Sequence, residues 1–294
     1  MKSTAQVSVI IPSYNQPNTI KSCVDSLLAQ DFDKEYEIII VDSSSKEYQS
    51  QIEEIGKLDE KVKLIIRSQQ TFPGEARNIG IKSAEADIIA LIDSDCIADK
   101  DWINNIYQGM EDNLIIAGVF KNGTPKSVFG TCYYLTTLSH SFPFHGADRA
   151  VSAAASGNLA CKKEVFEKVG YFTGMRAFED VLLSRKFMEL GGNIIQKSNV
   201  AVSHINYTEF KKIKQSIRMV GKYSAIVRKQ QGFPPKIIFQ YPILAFSLAG
   251  FRYFSILSRV IATKNIFPFL LYNPIIIYLL IQWSIGFYKG AKQA

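Results

Sequence analysis

The chain has 294 residues, 47% of them hydrophobic, which is enough for one large α/β domain with an appendage. Its net charge of +7 is unevenly spread: residues 205–294 carry 13 Lys/Arg and one acid, Glu209, while the remainder carries 21 bases and 26 acids. No recognition module accompanies the basic stretch, which argues against nucleic acid as a partner. The scattered Cys23, Cys96, Cys132 and Cys161 form no C-x-x-C pair, which argues against a zinc site or redox dithiol, so reduced thiols are expected.

Val7–Ile11 is short, β-branched and closed by Pro12, the pattern of a buried strand. It is also too short for the apolar region of a signal peptide. A helix is expected from Asn18, because Ile20, Cys23, Val24, Leu27 and Leu28 make one apolar stripe. Strands follow at Glu37–Val41, Lys63–Ile66 and Ile88–Ile92, with a helix over Glu75–Ala84 behind Pro73 and Gly74. Alternating strands and helices predict a mostly parallel sheet with helices on both faces. Ligands on such sheets bind beyond the C-terminal strand ends, where Asp42, Asp93 and Asp95 all fall. Further on, strands are expected at Leu114–Phe120, Ala153–Cys161 and Val200–Ser203. A short helix over Lys163–Val169 stops at Gly170. A longer one over Asp180–Leu190 stops at Gly191-Gly192, and Asp180 could serve as its N-cap whether or not it has a chemical role.

Two acidic clusters carry the chemistry. A nucleotide diphosphate brings about two negative charges. Bare carboxylates at ~4 Å would repel each by about 4 kcal/mol at an effective dielectric near 20. The Asp93/Asp95 pair therefore suits a diphosphate only with a hard divalent cation, Mg²⁺ or Mn²⁺, between them. Phe178-Glu179-Asp180 offers a carboxylate base, which must come within ~3 Å of the proton it takes.

In order, VSVIIPSYN (7–15), EIIIVDSSS (37–45), GEARNIGIKSAEADIIALIDSDC (74–96), SGNLACKKEVFEKVGYF (156–172), FED (178–180) and Ser203-His204 make a specific set. Over about residues 5–220 the chain resembles a family 2 glycosyltransferase of the GT-A fold. No G-x-G-x-x-G follows the first strand, which argues against a dinucleotide-binding dehydrogenase. The resemblance implies roles residue by residue. Pro12 and Tyr14 would frame the nucleotide base. Asp42 would accept a hydrogen bond from it, or else form an Asx turn. Arg77 would sit near base or diphosphate. Asp93 would lie by ribose and metal, Asp95 would ligate the metal, and His204 would complete its shell or touch the diphosphate. Asp180, beside Glu179, would deprotonate the acceptor hydroxyl for an inverting displacement. Asn158, Gln215 and Arg218 would lie near acceptor and diphosphate. Gln215-Ser216-Ile217-Arg218-Met219 resembles a Q-x-x-R-W stretch of membrane-bound relatives with Met219 in place of Trp, which speaks against processive polymerisation.

Composition divides the chain into a GT-A domain over 1–235 and a hydrophobic, membrane-associated segment over 236–294. Residues 265–288 are 24 consecutive uncharged positions, long enough to span a bilayer, though Pro268 and Pro274 disfavour a straight helix. Residues 237–258 hold Arg252, which costs about 2.5–3.5 kcal/mol at a membrane helix centre. That segment could form half of a hairpin or lie in the interface. The resulting expectation is a membrane-associated enzyme of polysaccharide biosynthesis with a cytoplasmic catalytic domain. It would move a sugar from a nucleotide-diphosphate donor to a lipid-linked, polyprenyl-type or glycan acceptor. Deleting residues 237–294 should then yield a soluble domain. A catalytically silent nucleotide-sugar-binding subunit of a glycan-assembly complex is the alternative. A nucleotidyltransferase is disfavoured by the missing Gly-rich phosphate loop.

Overall fold

A computed structural model describes residues 5–233 and 235–293. In chain order, β1 (Val7–Ser13), α1 (Pro17–Leu28), β2 (Tyr36–Asp42), α2 (Lys46–Ile55), β3 (Val62–Ile66), α3 (Pro73–Ser83) and β4 (Ile88–Ile92) alternate. β5 (Cys96–Ala98), α4 (Trp102–Gly109), β6 (Ile115–Asn122) and α5 (Val128–Thr137) come next. β7 (Arg149–Val151), β8 (Asn158–Lys162), α6 (Lys163–Val169), α7 (Glu179–Glu189) and β9 (Ile194–His204) follow. The remaining helices are α8 (Phe210–Gln230), α9 (Ile237–Gln240), α10 (Ser247–Ala262), α11 (Ile266–Leu271) and α12 (Asn273–Gln293). The chain divides into two compact units. One runs to Lys121 and resumes over His145–Ile205; the other comprises Asn122–Phe144 and Asn206 onward.

The first unit is built on one sheet in the order β3-β2-β1-β4-β8-β6-β9-β5, with β7 on β9. β3, β2, β1 and β4 are parallel, as the sequence predicts, and the apolar runs of β2, β1 and β4 are covered on both faces while the edge strand β3 leaves Ile66 exposed. β8 then enters antiparallel, with Asn158 opposite Ile92. It begins at Asn158 and not at Ala153, because Ser156 and Gly157 turn the chain into it, closed by Asn158 N donating to Ala155 O. Helix α1 buries its stripe, Ile20, Cys23, Val24 and Leu27, and starts on Pro17, whose fixed φ suits a first turn. Helix α7 departs from expectation at its start. Its cap is Phe178, held left-handed at φ 69°, so Asp180 lies inside the first turn and is not the N-cap.

The second unit is helical. Its central contact is α8 against α12, where glycines allow the backbones to touch. A Cβ on Gly221 would lie 2.1 Å from the Trp283 carbonyl oxygen, and one on Gly286 2.1 Å from that of Arg218. Arg218 Nε donates to Gln282 Oε1 at 2.8 Å, adding a polar tie to the same seam. The uncharged stretch 265–288 is not one helix. It breaks at Tyr272 between α11 and α12, one residue short of the Asn273-Pro274 start. The described stretch with the length and composition to cross a membrane is instead Pro242–Ala262. There Arg252 is turned inward, its Nη2 donating to Thr136 O at 3.2 Å and its guanidinium 4.4 Å from the Trp283 ring centroid.

Candidate active site

The first unit gathers its acids at the ends of β2, β4 and β9 and the start of α7. At β4 the chain turns through Asp93-Ser94-Asp95 into β5, tied by Cys96 N donating to Asp93 O. β5 pairs with β9 in the register Cys96↔His204. That pairing brings His204 Nε2 to 3.6 Å from Asp95 Oδ1. One ion bonded to both at roughly 2.1 Å can bridge such a gap. Cys96 Sγ shares the neighbourhood, 4.0 Å from Asp95 Oδ1. Burial pushes its thiol well above the ordinary range, so at neutral pH it is a weak donor and not a thiolate. The spacing of the cysteines gave no sign of this neighbour, because it arrives across a strand pair.

Arg77 joins the two acidic clusters. It lies on the buried face of α3, 3% exposed. One Nη donates to Asp93 Oδ1, and the other donates to Glu179 Oε1 at 2.9 Å. Its Nε has no hydrogen-bond partner. Burial opposes its charge, but Asp93, Glu179 and Asp180 outweigh burial and raise its pKa. Gly157 fits under the same cluster, since a Cβ there would lie 2.4 Å from Asp93 Oδ2.

Glu179 and Asp180 differ in surroundings. Burial lifts the Glu179 carboxyl to about pKa 7; Arg77 pulls it back and Asp180 adds to the rise. Asp180 is also raised by burial, against the backbone N–H groups of Ser156 and Val181, which donate to its oxygens at 3.1 and 2.8 Å. These donors fix the carboxylate on the first turn of a helix, and the left-handed Phe178 just before it sets the direction of approach.

At the ends of β1 and β2, Asp42 is fully buried and accepts from both the backbone N–H and the hydroxyl of Ser44, each at 2.8 Å. This is the Asx-type turn that the sequence left open. Ser44 Oγ in turn accepts from Asn15 N, and Asn15 Oδ1 accepts from Ser45 N. Asn15, at φ 53°, thereby locks the loop that carries Tyr14, which is exposed, and follows the half-buried Pro12. The Asn15–Ser44–Ser45 links were not read from sequence. They depend on β1 and β2 ending in register, Ser13 opposite Asp42.

Of the three residues expected near acceptor and diphosphate, Asn158 is a core tie of the first unit. It is 1% exposed, its Oδ1 accepts from Trp102 Nε1, and its Nδ2 donates to the carbonyls of Val119 and Val200. Gln215 and Arg218 belong to α8 in the second unit, Gln215 exposed and Arg218 bonded to Gln282.

The model of the family described as Glycosyl transferase family 2 matches residues 8–170, more than half of the chain. Among curated relatives, a poly(ribitol-phosphate) beta-N-acetylglucosaminyltransferase, TarS, of Staphylococcus aureus is 35% identical over 144 residues, 46% of this chain and 25% of that protein. Glycosyltransferase AglE of Haloferax volcanii is 31% identical over 174 residues, 56% of this chain and 55% of that protein. The chain thus spans about a quarter of the first of these and about half of the second. A mannosyltransferase from Pyrobaculum calidifontis, solved with GDP-Man and Mn²⁺, superposes with TM-score 0.65 at 16% identity, covering 97% of this chain and 88% of that one. At that identity the likeness shows a shared fold, the GT-A fold expected from the sequence.

Proposed function

Because this chain belongs to glycosyl transferase family 2, we propose that it transfers a sugar, with inversion, from a nucleotide-diphosphate donor to a lipid-linked or glycan acceptor at the cytoplasmic face of a membrane. The observation that carries this reading is Arg77, whose two Nη groups hold Asp93 of the donor cluster and Glu179 of the base cluster in one hydrogen-bonded set. The name of one relative, a poly(ribitol-phosphate) beta-N-acetylglucosaminyltransferase, supports a polymeric acceptor. The acid-free, basic C-terminal stretch supplies the membrane.

In this reading Pro12 and Tyr14 flank the nucleotide base, and Asp42 shares its Ser44-bonded carboxylate with a base N–H. Asp93 contacts the ribose, while Asp95 and His204 would hold a divalent cation, whose charge would offset that of the departing diphosphate. Asp180 takes the proton of the acceptor hydroxyl as that oxygen attacks the anomeric carbon. The bond from that carbon to the diphosphate oxygen breaks, and nucleoside diphosphate leaves. Glu179 holds Arg77, and Arg77 places positive charge beside the departing group. The segment 236–294 attaches the enzyme to the membrane that holds its acceptor.

The test is nucleoside diphosphate release by the full-length protein over a panel of nucleotide sugars, with membrane lipid extract and with Mn²⁺, Mg²⁺ or chelator. Metal-dependent release with one donor, lost in Asp95→Asn, is the expected result. Release unaffected by chelator would overturn the cation role, and donor binding with no release from any acceptor would favour a silent binding subunit.

A further inference from the structure

We infer that residues 237–271 form an in-plane anchor that enters one leaflet of an anionic membrane without crossing it; this rests on the membrane reading above and specifies its geometry. The outward face of this segment is apolar. Phe251, Phe254 and Ile261 of α10 and Phe267, Leu270 and Leu271 of α11 are all exposed, Phe251 at 72% and Phe267 at 73%. The only charges in the segment are Arg252, Arg259 and Lys264. Arg252 is turned inward within the helical unit, to Thr136 O and the Trp283 ring, and the exposed Arg259 reaches back to the unit through Nη1, which donates to Ser139 Oγ at 3.3 Å. One side of α10 is thus fastened to protein and the other presents mainly large apolar side chains, with Ser247, Ser258 and Arg259 exposed beside them, the pattern of a helix lying in an interface.

One observation opposes crossing, although Pro242–Ala262, in which a short helical turn over Pro242–Phe246 leads directly into α10, has the length to span. The next apolar helix, α12, could return the chain only by carrying α8 with it. Its Gly286 and Gly290 sit against the backbone of Arg218 and Lys222, and α8 holds seven Lys/Arg and no acid. A helix so charged does not enter hydrocarbon. The Gly-x-x-x-Gly pair that would otherwise suit a membrane helix dimer is already used inside the chain.

The charge selects the occupant. Exposed Lys236 and Lys264 bracket the apolar stretch, and residues 210–294 contain no Asp or Glu. A second copy would bring the same positive charge to the same face, whereas an anionic leaflet complements it.

The full-length protein is added to preformed vesicles of phosphatidylcholine and phosphatidylglycerol, 7:3. Flotation measures binding, and a Lys264→Cys variant is treated with a membrane-impermeant maleimide. The four native cysteines are buried, so the added one gives the signal. The expected result is flotation with complete labelling before and after detergent lysis of the vesicles. Binding should weaken at least about tenfold in a Phe251→Glu/Phe254→Glu/Phe267→Glu variant, and fall on pure phosphatidylcholine. Labelling that appears only after lysis would mean the segment crosses and would overturn the in-plane anchor while leaving the membrane reading intact. Absence of flotation, or a dimer in solution that the triple variant dissolves, would overturn both. Donor-dependent nucleoside diphosphate release, assayed without vesicles on a soluble acceptor, stands apart from either outcome.

Discussion

A single buried guanidinium decides the electrostatics of the candidate site. Without Arg77, Glu179 and Asp93 face each other's neighbourhood unpaired, and stripping one partner from a buried ion pair costs roughly 3–5 kcal/mol. Arg77→Met should therefore lower the denaturant midpoint substantially, and an unchanged midpoint would show that the triad is solvated. Glu179 offers a second check with a defined sign. Its pKa is raised to about 7 from an ordinary 4.5. The folded state thus binds its proton more tightly than the unfolded state does. Its stabilising contribution is complete below the unfolded value and is lost as pH rises through about 7. In metal-free protein, Glu179→Gln should flatten the decline in stability between about pH 4.5 and 7; an identical slope in the variant would refute the shift. Asp180 is tested by turnover. Asp180→Asn keeps the backbone geometry of the first turn but removes the proton acceptor, so release should fall about 10²–10⁴-fold with donor affinity retained. If donor binding falls equally, Asp180 serves the fold and not the chemistry. At this scale the positions of Asp93, Asp95, Glu179, Asp180 and His204 beside strand ends or a helix start were legible, since apolar runs mark those elements. Arg77 as a bridge and Asn158 as a core tie were not, because both depend on which strands become neighbours.

Elements were legible where burial imposes a period. β1, β2 and β4 are short runs rich in Ile and Val, and α1 has one clean stripe. Helix α5 was missed because it has no polar face: Gly130 to Thr136 are all buried, so periodicity is silent. Helix α2 was missed for the opposite reason, burying only Ile52 and Ile55. β5 is three residues long and is defined by its partner, not its composition. Helix packing in the second unit makes a paired prediction. Gly286→Ala places a methyl 2.1 Å from a backbone carbonyl that cannot yield without parting α8 and α12, at a cost of about 1–3 kcal/mol. Gly250→Ala, in α10, meets nothing within 4 Å and should stabilise by up to ~1 kcal/mol through helix propensity. Thermal unfolding of the two variants checks both signs; equal shifts would mean the glycine seam is not tight.

For the whole molecule, composition and packing place boundaries differently. Charge and hydropathy change character at Lys236, and that change is what made residues 236–294 readable as a separate segment. Packing follows another line. Helix α8, before the change, buries Ile213, Ile217, Ala225 and Val227, and α12, after it, supplies the surface against which Gly221 sits. Removing residues 237–294 therefore strips α8 of its partner along with the anchor. Each newly exposed large aliphatic side chain forfeits about 1.5–3 kcal/mol of burial, and an apolar stripe is left on a helix with nothing to cover it. The truncated chain should aggregate, the reverse of the solubility that composition alone predicts. The full chain bearing the three glutamates of the anchor test should stay monomeric and folded, because those side chains are mostly exposed and no core packing rests on them. Light scattering and far-ultraviolet circular dichroism on the two proteins separate the cases. A monodisperse, fully helical truncation product would show that α8 folds without α12, and would return the boundary to where composition put it.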